Sequence, residues 1–95
     1  MIRKGYVDVP AGQVHYRHRD GRGTPIVCLH QTASSSAMFE RVMAAWPGEQ
    51  PLYALDTPGF GGSYEPAGQP TMAEYGAVLL EATRALGLER MHLFG

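Results

Sequence analysis

Three short segments of the chain carry the residues whose types and spacing are compatible with chemistry. Leu-His-Gln-Thr-Ala-Ser-Ser-Ser occupies residues 29–36, directly after the apolar run at 25–29. Asp-Thr-Pro-Gly-Phe-Gly-Gly-Ser occupies residues 56–63, after the run at 52–55, and Met-His-Leu-Phe-Gly occupies 91–95. Polar residues and glycines at the ends of buried strands are typical of ligand sites in open α/β sheets. A serine-capped connection without chemistry would have the same composition at residues 29–36.

Dinucleotide binding is the competing interpretation of the glycine-rich segment at residues 56–63. The pattern Gly-x-Gly-x-x-Gly beginning at Gly59 and Gly61 requires a third glycine at position 64, which is Tyr64. The segment also follows the wrong strand for that motif. The spacing therefore argues against phosphate binding, and we predict no nucleotide cofactor.

The remaining chemically capable side chains favour structural roles. His15 and His18 are three residues apart in a strand-like pattern, so they point to opposite faces and cannot share a metal. Cys28 lies in a buried-type strand and is predicted to pack in the core, as is His92 unless it lies at an interface. Asp56 is expected to hold its own loop by accepting backbone hydrogen bonds, with catalysis by this aspartate as the open alternative. We predict no metal site.

The composition of the chain limits which binding partners and which cellular locations are expected. The 95 residues are 44% hydrophobic and 18% charged, with a net charge of −1, so neither nucleic acid nor an anionic membrane is indicated. The single cysteine excludes an intrachain disulfide. The amino-terminal residues lack the apolar stretch of a signal peptide, and no apolar run approaches the roughly 20 residues of a membrane span. We therefore expect a cytoplasmic location and a single unit over residues 1–95.

Hydrophobic periodicity predicts the secondary structure. Strands are expected at residues 5–10 and 13–19, the second half-exposed with Val14 and Tyr16 on one face and Gln13, His15 and Arg17 on the other. Continuous apolar runs predict buried strands at 25–29, 52–55 and 91–94.

Two helices are predicted between these strands. In the first, Phe39, Val42, Met43 and Trp46 lie on one face. The second begins with a capping box at Thr71 and Glu74, carries an apolar stripe, and ends at Gly87; the stripe consists of Tyr75, Val78, Leu79, Ala82 and Leu86. The order β-β-β-α-β-α-β predicts an α/β fold, an antiparallel β-hairpin followed by parallel βαβαβ.

Taken in order, the three segments resemble the α/β-hydrolase fold superfamily. Residues 29–36 resemble its oxyanion-hole loop, usually His-Gly-x, and residues 56–63 resemble its Asp-x-Pro-Gly-x-Gly-x-Ser segment. Residues 86–95 resemble a helix end, a strand and the first glycine, Gly95, of the turn Gly-x-Ser-x-Gly that carries the nucleophile. The resemblance implies that residues 1–95 are the N-terminal half of a hydrolase core, incomplete without the residues that follow.

The resemblance also implies a role for each residue of the first loop. Thr32 would offer its backbone N–H to the oxyanion, and His30 would orient the loop. Gln31 stands where glycine is usual and would shape the pocket. Nucleophile, acid and base would all lie after Gly95, so the remainder of the domain is the expected protein partner.

The implied reaction is nucleophilic acyl transfer from a small substrate to water. Hydrolysis of an ester, of a lactone or of a carbon–carbon bond would fit. An aspartate nucleophile would instead give a dehalogenase or epoxide hydrolase, and a pseudo-hydrolase that binds a small apolar ligand is the noncatalytic alternative. For the isolated chain we expect no activity.

Overall fold

Strands and helices alternate through the part of the chain that the computed structural model describes, residues 2–30 and 34–95. The strands are β1 (Arg3–Val9), β2 (Gly12–Arg19), β3 (Ile26–Leu29), β4 (Leu52–Leu55) and β5 (His92–Phe94). A 3₁₀ helix (Ser36–Phe39) leads into α1 (Glu40–Ala45), and α2 (Met72–Ala85) joins β4 to β5. Among these residues, no helix is both long enough and apolar enough to cross a bilayer.

The strands form one mixed sheet in the order β1-β2-β4-β3-β5. β1 and β2 form an antiparallel hairpin, and β2 also pairs antiparallel with β4. β3 lies at the centre of the parallel part, with β4 on one side and β5 on the other. The predicted fold class, an antiparallel hairpin followed by parallel βαβαβ, is therefore confirmed.

The sheet is covered by apolar side chains on both faces. Val14, Val27 and Leu55 pack with Ala82 of α2 on one face. A second cluster fills the other face, beneath the 3₁₀ helix and α1; it consists of Cys28, Phe39, Met43, Leu52 and Ala54. Burial raises the pKa of the Cys28 thiol, which disfavours the reactive thiolate and agrees with its predicted role in the core.

The first helix and the last strand differ from the prediction in their burial. Val42 shares the predicted apolar face of the first helix with Phe39 and Met43, which are buried, but is itself 47% exposed. The strand predicted at residues 91–94 forms as β5, yet His92, Leu93 and Phe94 are all exposed. His92 therefore does not pack in the core, and its alternative placement at an interface stays a prediction. β5 lies at the edge of the sheet and pairs with β3 alone, so only one side of its backbone is covered in the described chain.

The capping box predicted for α2 is present. The Thr71 hydroxyl accepts a hydrogen bond from the Glu74 backbone N–H at 3.1 Å, and the Glu74 carboxylate accepts one from the Thr71 N–H at 2.9 Å. Gly87 ends the segment with φ at +82°, a conformation that residues with a Cβ rarely adopt. Local chemistry thus determines both ends of α2.

Removing the Thr71 hydroxyl should destabilise this helix. We expect Thr71→Ala to lower the free energy of unfolding by about 1 kcal/mol, because the Glu74 N–H loses its partner at the first turn. Thr71→Ser keeps the hydroxyl and should stay within about 0.5 kcal/mol of the wild type. Urea unfolding of the protein measures both variants, and equal stability of the alanine and serine variants would contradict the prediction.

Candidate active site at the carboxyl ends of the central strands

Parallel pairing brings two of the predicted segments to the same edge of the sheet. His30 directly follows β3 and Asp56 directly follows β4, and the two strands are in register with Leu29 opposite Leu55. Gly95 follows β5 on the other side of β3. The chain therefore turns to opposite sides of β3 in consecutive crossovers, and the crevice at such a point is where open α/β sheets bind ligands.

Of the three predicted site residues, Gln31 and Thr32 lie outside the described residues, and His30 is placed. The His30 Nε2 atom accepts a hydrogen bond from the backbone N–H of Thr57 at 2.9 Å. Its ring also meets Phe60 edge-on, with 5.7 Å between the ring centroids. Because Nε2 accepts this bond, it is the unprotonated nitrogen of the imidazole. The segment after β3 is thereby tied to the segment after β4.

Among the described residues at this edge, the Asp56 side chain has the most hydrogen-bond partners. It is fully buried, and its Oδ1 atom accepts from the Ser36 backbone N–H at 2.5 Å. Its Oδ2 atom accepts from the Gly62 N–H at 2.9 Å and lies 2.7 Å from the Nδ1 atom of His15. The prediction that Asp56 accepts backbone hydrogen bonds is confirmed, and the bonds extend beyond its own loop.

The ionised state of Asp56 is favoured by these contacts. Burial by itself raises the pKa of the carboxyl, but the N–H groups of Ser36 and Gly62, with the side chains of Ser36 and His15, outweigh it. The pKa therefore lies below its ordinary value. An enclosed carboxylate that is ionised at neutral pH acts as a fixed acceptor for the groups around it.

Backbone contacts reinforce the position of Asp56 beside β2. The Asp56 N–H donates to the His15 carbonyl at 2.9 Å, and the Ser63 hydroxyl donates to the Asp56 carbonyl at 2.6 Å. The same hydroxyl accepts from the His15 N–H at 2.9 Å. The segment at residues 57–63 is thus folded back onto the sheet and closed at both ends.

Ser36 connects this network to the first helix. It is fully buried, begins the 3₁₀ helix, and its hydroxyl accepts from the Arg17 guanidinium at 2.6 Å. His15 and Arg17 were predicted on the half-exposed face of β2, and that expectation is wrong: both are nearly enclosed. The segment after β4 covers this face, since a Cβ placed on Gly62 would lie 2.9 Å from the His15 ring.

The network holds loops together and presents no nucleophile of its own. The His15–Asp56 pair is enclosed, the Ser36 hydroxyl bonds Arg17 and Asp56, and the Ser63 hydroxyl bonds backbone groups of His15 and Asp56. Within residues 2–30 and 34–95, no three His, Cys, Asp or Glu side chains gather closely enough to hold a metal ion. Sequence reasoning missed the roles of His15 and Ser36. His15 belongs to no motif, Ser36 is only the last residue of the first segment, and each meets Asp56 from a distant part of the chain.

Comparison with known proteins places this geometry among hydrolases. No protein-family model matches the chain. A fluoroacetate dehalogenase from Burkholderia sp. is 34% identical over 80 residues, which are 79% of this chain and 26% of that enzyme.

Solved structures match over nearly the whole chain. The haloalkane dehalogenase DatA from Agrobacterium tumefaciens superposes with a TM-score of 0.86 at 27% identity, over 97% of this chain and 31% of that one. A mutant of the N-acyl homoserine lactonase AidH, complexed with N-hexanoyl homoserine, superposes with a TM-score of 0.90 at 25% identity, over all of this chain and 36% of that one. The chain thus spans about a quarter to a third of the length of these enzymes.

Proposed function

Since the chain belongs to the α/β-hydrolase fold superfamily, we propose that it forms the N-terminal part of the core domain of a hydrolase. The substrate is an ester, a lactone or a similar small organic molecule, and the reaction is nucleophilic acyl transfer to water. The observation that carries this proposal is the meeting of the segments after β3 and β4 at the edge where β5 also ends. Gly95, directly after β5, is the first glycine of the nucleophile turn in this proposal.

In the proposed mechanism the loop after β3 stabilises the oxyanion. The Thr32 backbone N–H donates to the negative oxygen of the tetrahedral intermediate, and Gln31 shapes the adjacent pocket. His30 orients the loop and does not act on the substrate, a role supported by the bond that ties its Nε2 atom to Thr57. Donors fixed in advance are needed, because reorganising them during the reaction would cost much of their benefit.

The residues that follow Gly95 in the complete hydrolase supply the rest of the machinery. They provide the nucleophile, the second oxyanion donor, the acid and the histidine base, and they are the chain's partner in forming the domain. Residues 1–95 by themselves have no hydrolase activity in this proposal. The enclosed His15–Asp56 pair supports that view, because it offers no base to an incoming substrate.

A second candidate is an enzyme with an aspartate nucleophile, a dehalogenase or an epoxide hydrolase. The similarity to a fluoroacetate dehalogenase and to a haloalkane dehalogenase favours this candidate. A noncatalytic pseudo-hydrolase that binds a small apolar ligand is the third. The residue two positions after Gly95 distinguishes them, since serine favours acyl transfer, aspartate favours dehalogenation or epoxide opening, and a residue that is no nucleophile favours binding.

A substrate panel tests the proposal. The complete protein and the fragment 1–95 are assayed side by side with p-nitrophenyl butyrate, an N-acyl homoserine lactone, fluoroacetate and a simple epoxide. We expect the complete protein to turn over the ester or the lactone, and the fragment to turn over nothing. Halide release or epoxide opening without ester hydrolysis would establish the second candidate. Equal turnover by fragment and complete protein would overturn the assignment.

A further inference from the structure

We propose that His15 is a positioning residue for the oxyanion loop and that it acts through Asp56. This inference rests on the proposed function, because the loop contributes to catalysis only if its backbone stabilises an oxyanion. His15 lies in β2 and is separated from the loop by the Asp56 carboxylate, which contacts both.

Two consecutive residues after β4 hold the two ends of the segment that follows β3. The Thr57 backbone N–H donates to the His30 Nε2 atom, and the Asp56 Oδ1 atom accepts from the Ser36 backbone N–H. His30 and Ser36 flank the residues proposed to carry the oxyanion donor. Asp56 and Thr57, which β4 fixes beside β3, therefore help to hold His30 and Ser36, the described ends of this segment, at the edge of the sheet.

The hold on Ser36 requires one orientation of the Asp56 carboxylate. Rotation of its plane would move Oδ1 away from the Ser36 N–H, which has no other acceptor as close in the described network. His15 prevents this rotation, because its Nδ1 atom binds Oδ2 at 2.7 Å. Oδ2 is the carboxylate oxygen that does not bind Ser36. The Gly62 N–H binds Oδ2 as well, so imidazole and amide together fix the plane.

His15 itself is held on several sides. Its backbone N–H and carbonyl are bonded to the Ser63 hydroxyl and to the Asp56 N–H, and the Tyr6 ring meets its ring edge-on at 5.1 Å between centroids. Only 8% of the residue is exposed. The imidazole is therefore a rigid donor, and its effect reaches the loop through two hydrogen bonds in series.

A pair of substitutions at His15 in the complete hydrolase tests the inference. His15→Asn places an amide nitrogen near the position of Nδ1 and keeps the donor, whereas His15→Leu removes it. We expect kcat for p-nitrophenyl butyrate to fall about 10- to 100-fold in His15→Leu, since small misplacements of catalytic groups carry penalties of that size, with KM nearly unchanged. His15→Asn should recover most of the lost kcat.

The matched control is His18→Leu. His18 lies on the same strand, is also partly buried, and stacks on Tyr53 on the other face of the sheet, away from Asp56. This variant should keep the wild-type kcat even where it lowers the melting temperature. A folded His15→Leu with the wild-type kcat, or an equal loss of kcat in His18→Leu, would overturn the inference. If His15→Leu fails to fold, His15→Gln takes its place. The longer glutamine side chain carries its amide past the position of Nδ1, so this variant also lacks a donor at that position.

Hydrogen exchange separates failure of this inference from failure of the proposed function. If the wild type hydrolyses nothing in the substrate panel, the proposed function fails before any variant is compared. The hydrogen-exchange rate of the Ser36 amide still tests whether His15 acts on Ser36 through Asp56. Faster exchange in His15→Leu and not in His18→Leu supports this coupling. Unchanged exchange at Ser36 in His15→Leu would overturn it.

Discussion

Replacing Asp56 with alanine is expected to lower the free energy of unfolding by about 3–5 kcal/mol. The substitution removes the only carboxylate in contact with the Ser36 and Gly62 N–H groups in the described network, and leaves the His15 imidazole enclosed without its anion. Each buried donor that loses its partner retains its full desolvation cost. A loss of this size is a large fraction of the total stability of an ordinary domain.

Urea unfolding of the complete protein measures this effect. Asp56→Asn keeps the volume but places an amide where two oxygens accept hydrogen bonds, so we expect an intermediate loss of stability. Asp20→Asn is the control, because the Asp20 side chain is 87% exposed and its Oδ1 atom lies 3.5 Å from the His18 Nδ1 atom. Stability of Asp56→Ala within about 0.5 kcal/mol of the wild type would contradict the central role given to this carboxylate.

The lowered pKa of Asp56 also predicts how the stability of the protein depends on pH in acid. The pKa of Asp56 is lower in the folded chain than in the unfolded chain, so ionisation favours the folded state. This contribution is complete above the unfolded pKa and is lost as the pH falls through the lower, folded value. Between neutral pH and pH 3, Asp56→Asn should therefore lose less stability than the wild type does.

Replacing Thr32 with proline should have the largest effect on catalysis. Proline has no backbone N–H, and the loss of one oxyanion donor typically lowers turnover about 100- to 1,000-fold. Thr32→Ala keeps the N–H and should retain most of the activity. Gln31→Gly restores the residue usual in the family at this position and should preserve catalysis while changing the shape of the pocket.

Proline also restricts the backbone, so substrate affinity and melting temperature must be measured with kcat. A variant that folds normally, binds substrate normally and loses turnover supports Thr32 as the donor. A Thr32→Pro enzyme that folds and turns over substrate at the wild-type rate would exclude this loop as the oxyanion hole. The acyl-transfer mechanism proposed for residues 30–36 would then have to be abandoned.

Much of the fold was predictable from the sequence because its signals are local. The runs at residues 25–29 and 52–55 predicted β3 and β4, and alternation predicted the β-hairpin before them. Thr71 and Glu74 marked the start of α2, since a capping box is formed within a single helical turn. Gly87 marked its end, because glycine adopts the positive φ found there at little cost.

Burial was harder to predict, because it depends on what packs against an element. Periodicity placed Val42 on the apolar face of its helix and residues 91–94 in a buried strand, yet Val42 and the three residues of β5 are exposed. At His15 the error is the reverse. Alternation predicted it on the polar face of a half-exposed strand, and the structure buries it. In each case the neighbours that decide exposure belong to other segments of the chain.

Local sequence patterns were enough to identify the segments that could form the candidate site, because each follows an apolar strand. The contacts that connect these segments became visible only in the folded chain. His15 lies 41 residues from Asp56 and Ser36 lies 20 residues from it, and no motif links them. They meet because β2 pairs with β4 and because β3 and β4 end in register. The pairing of strands as distant in the chain as β2 and β4 depends on the packing of the whole sheet, and the pattern within either strand does not specify its partner.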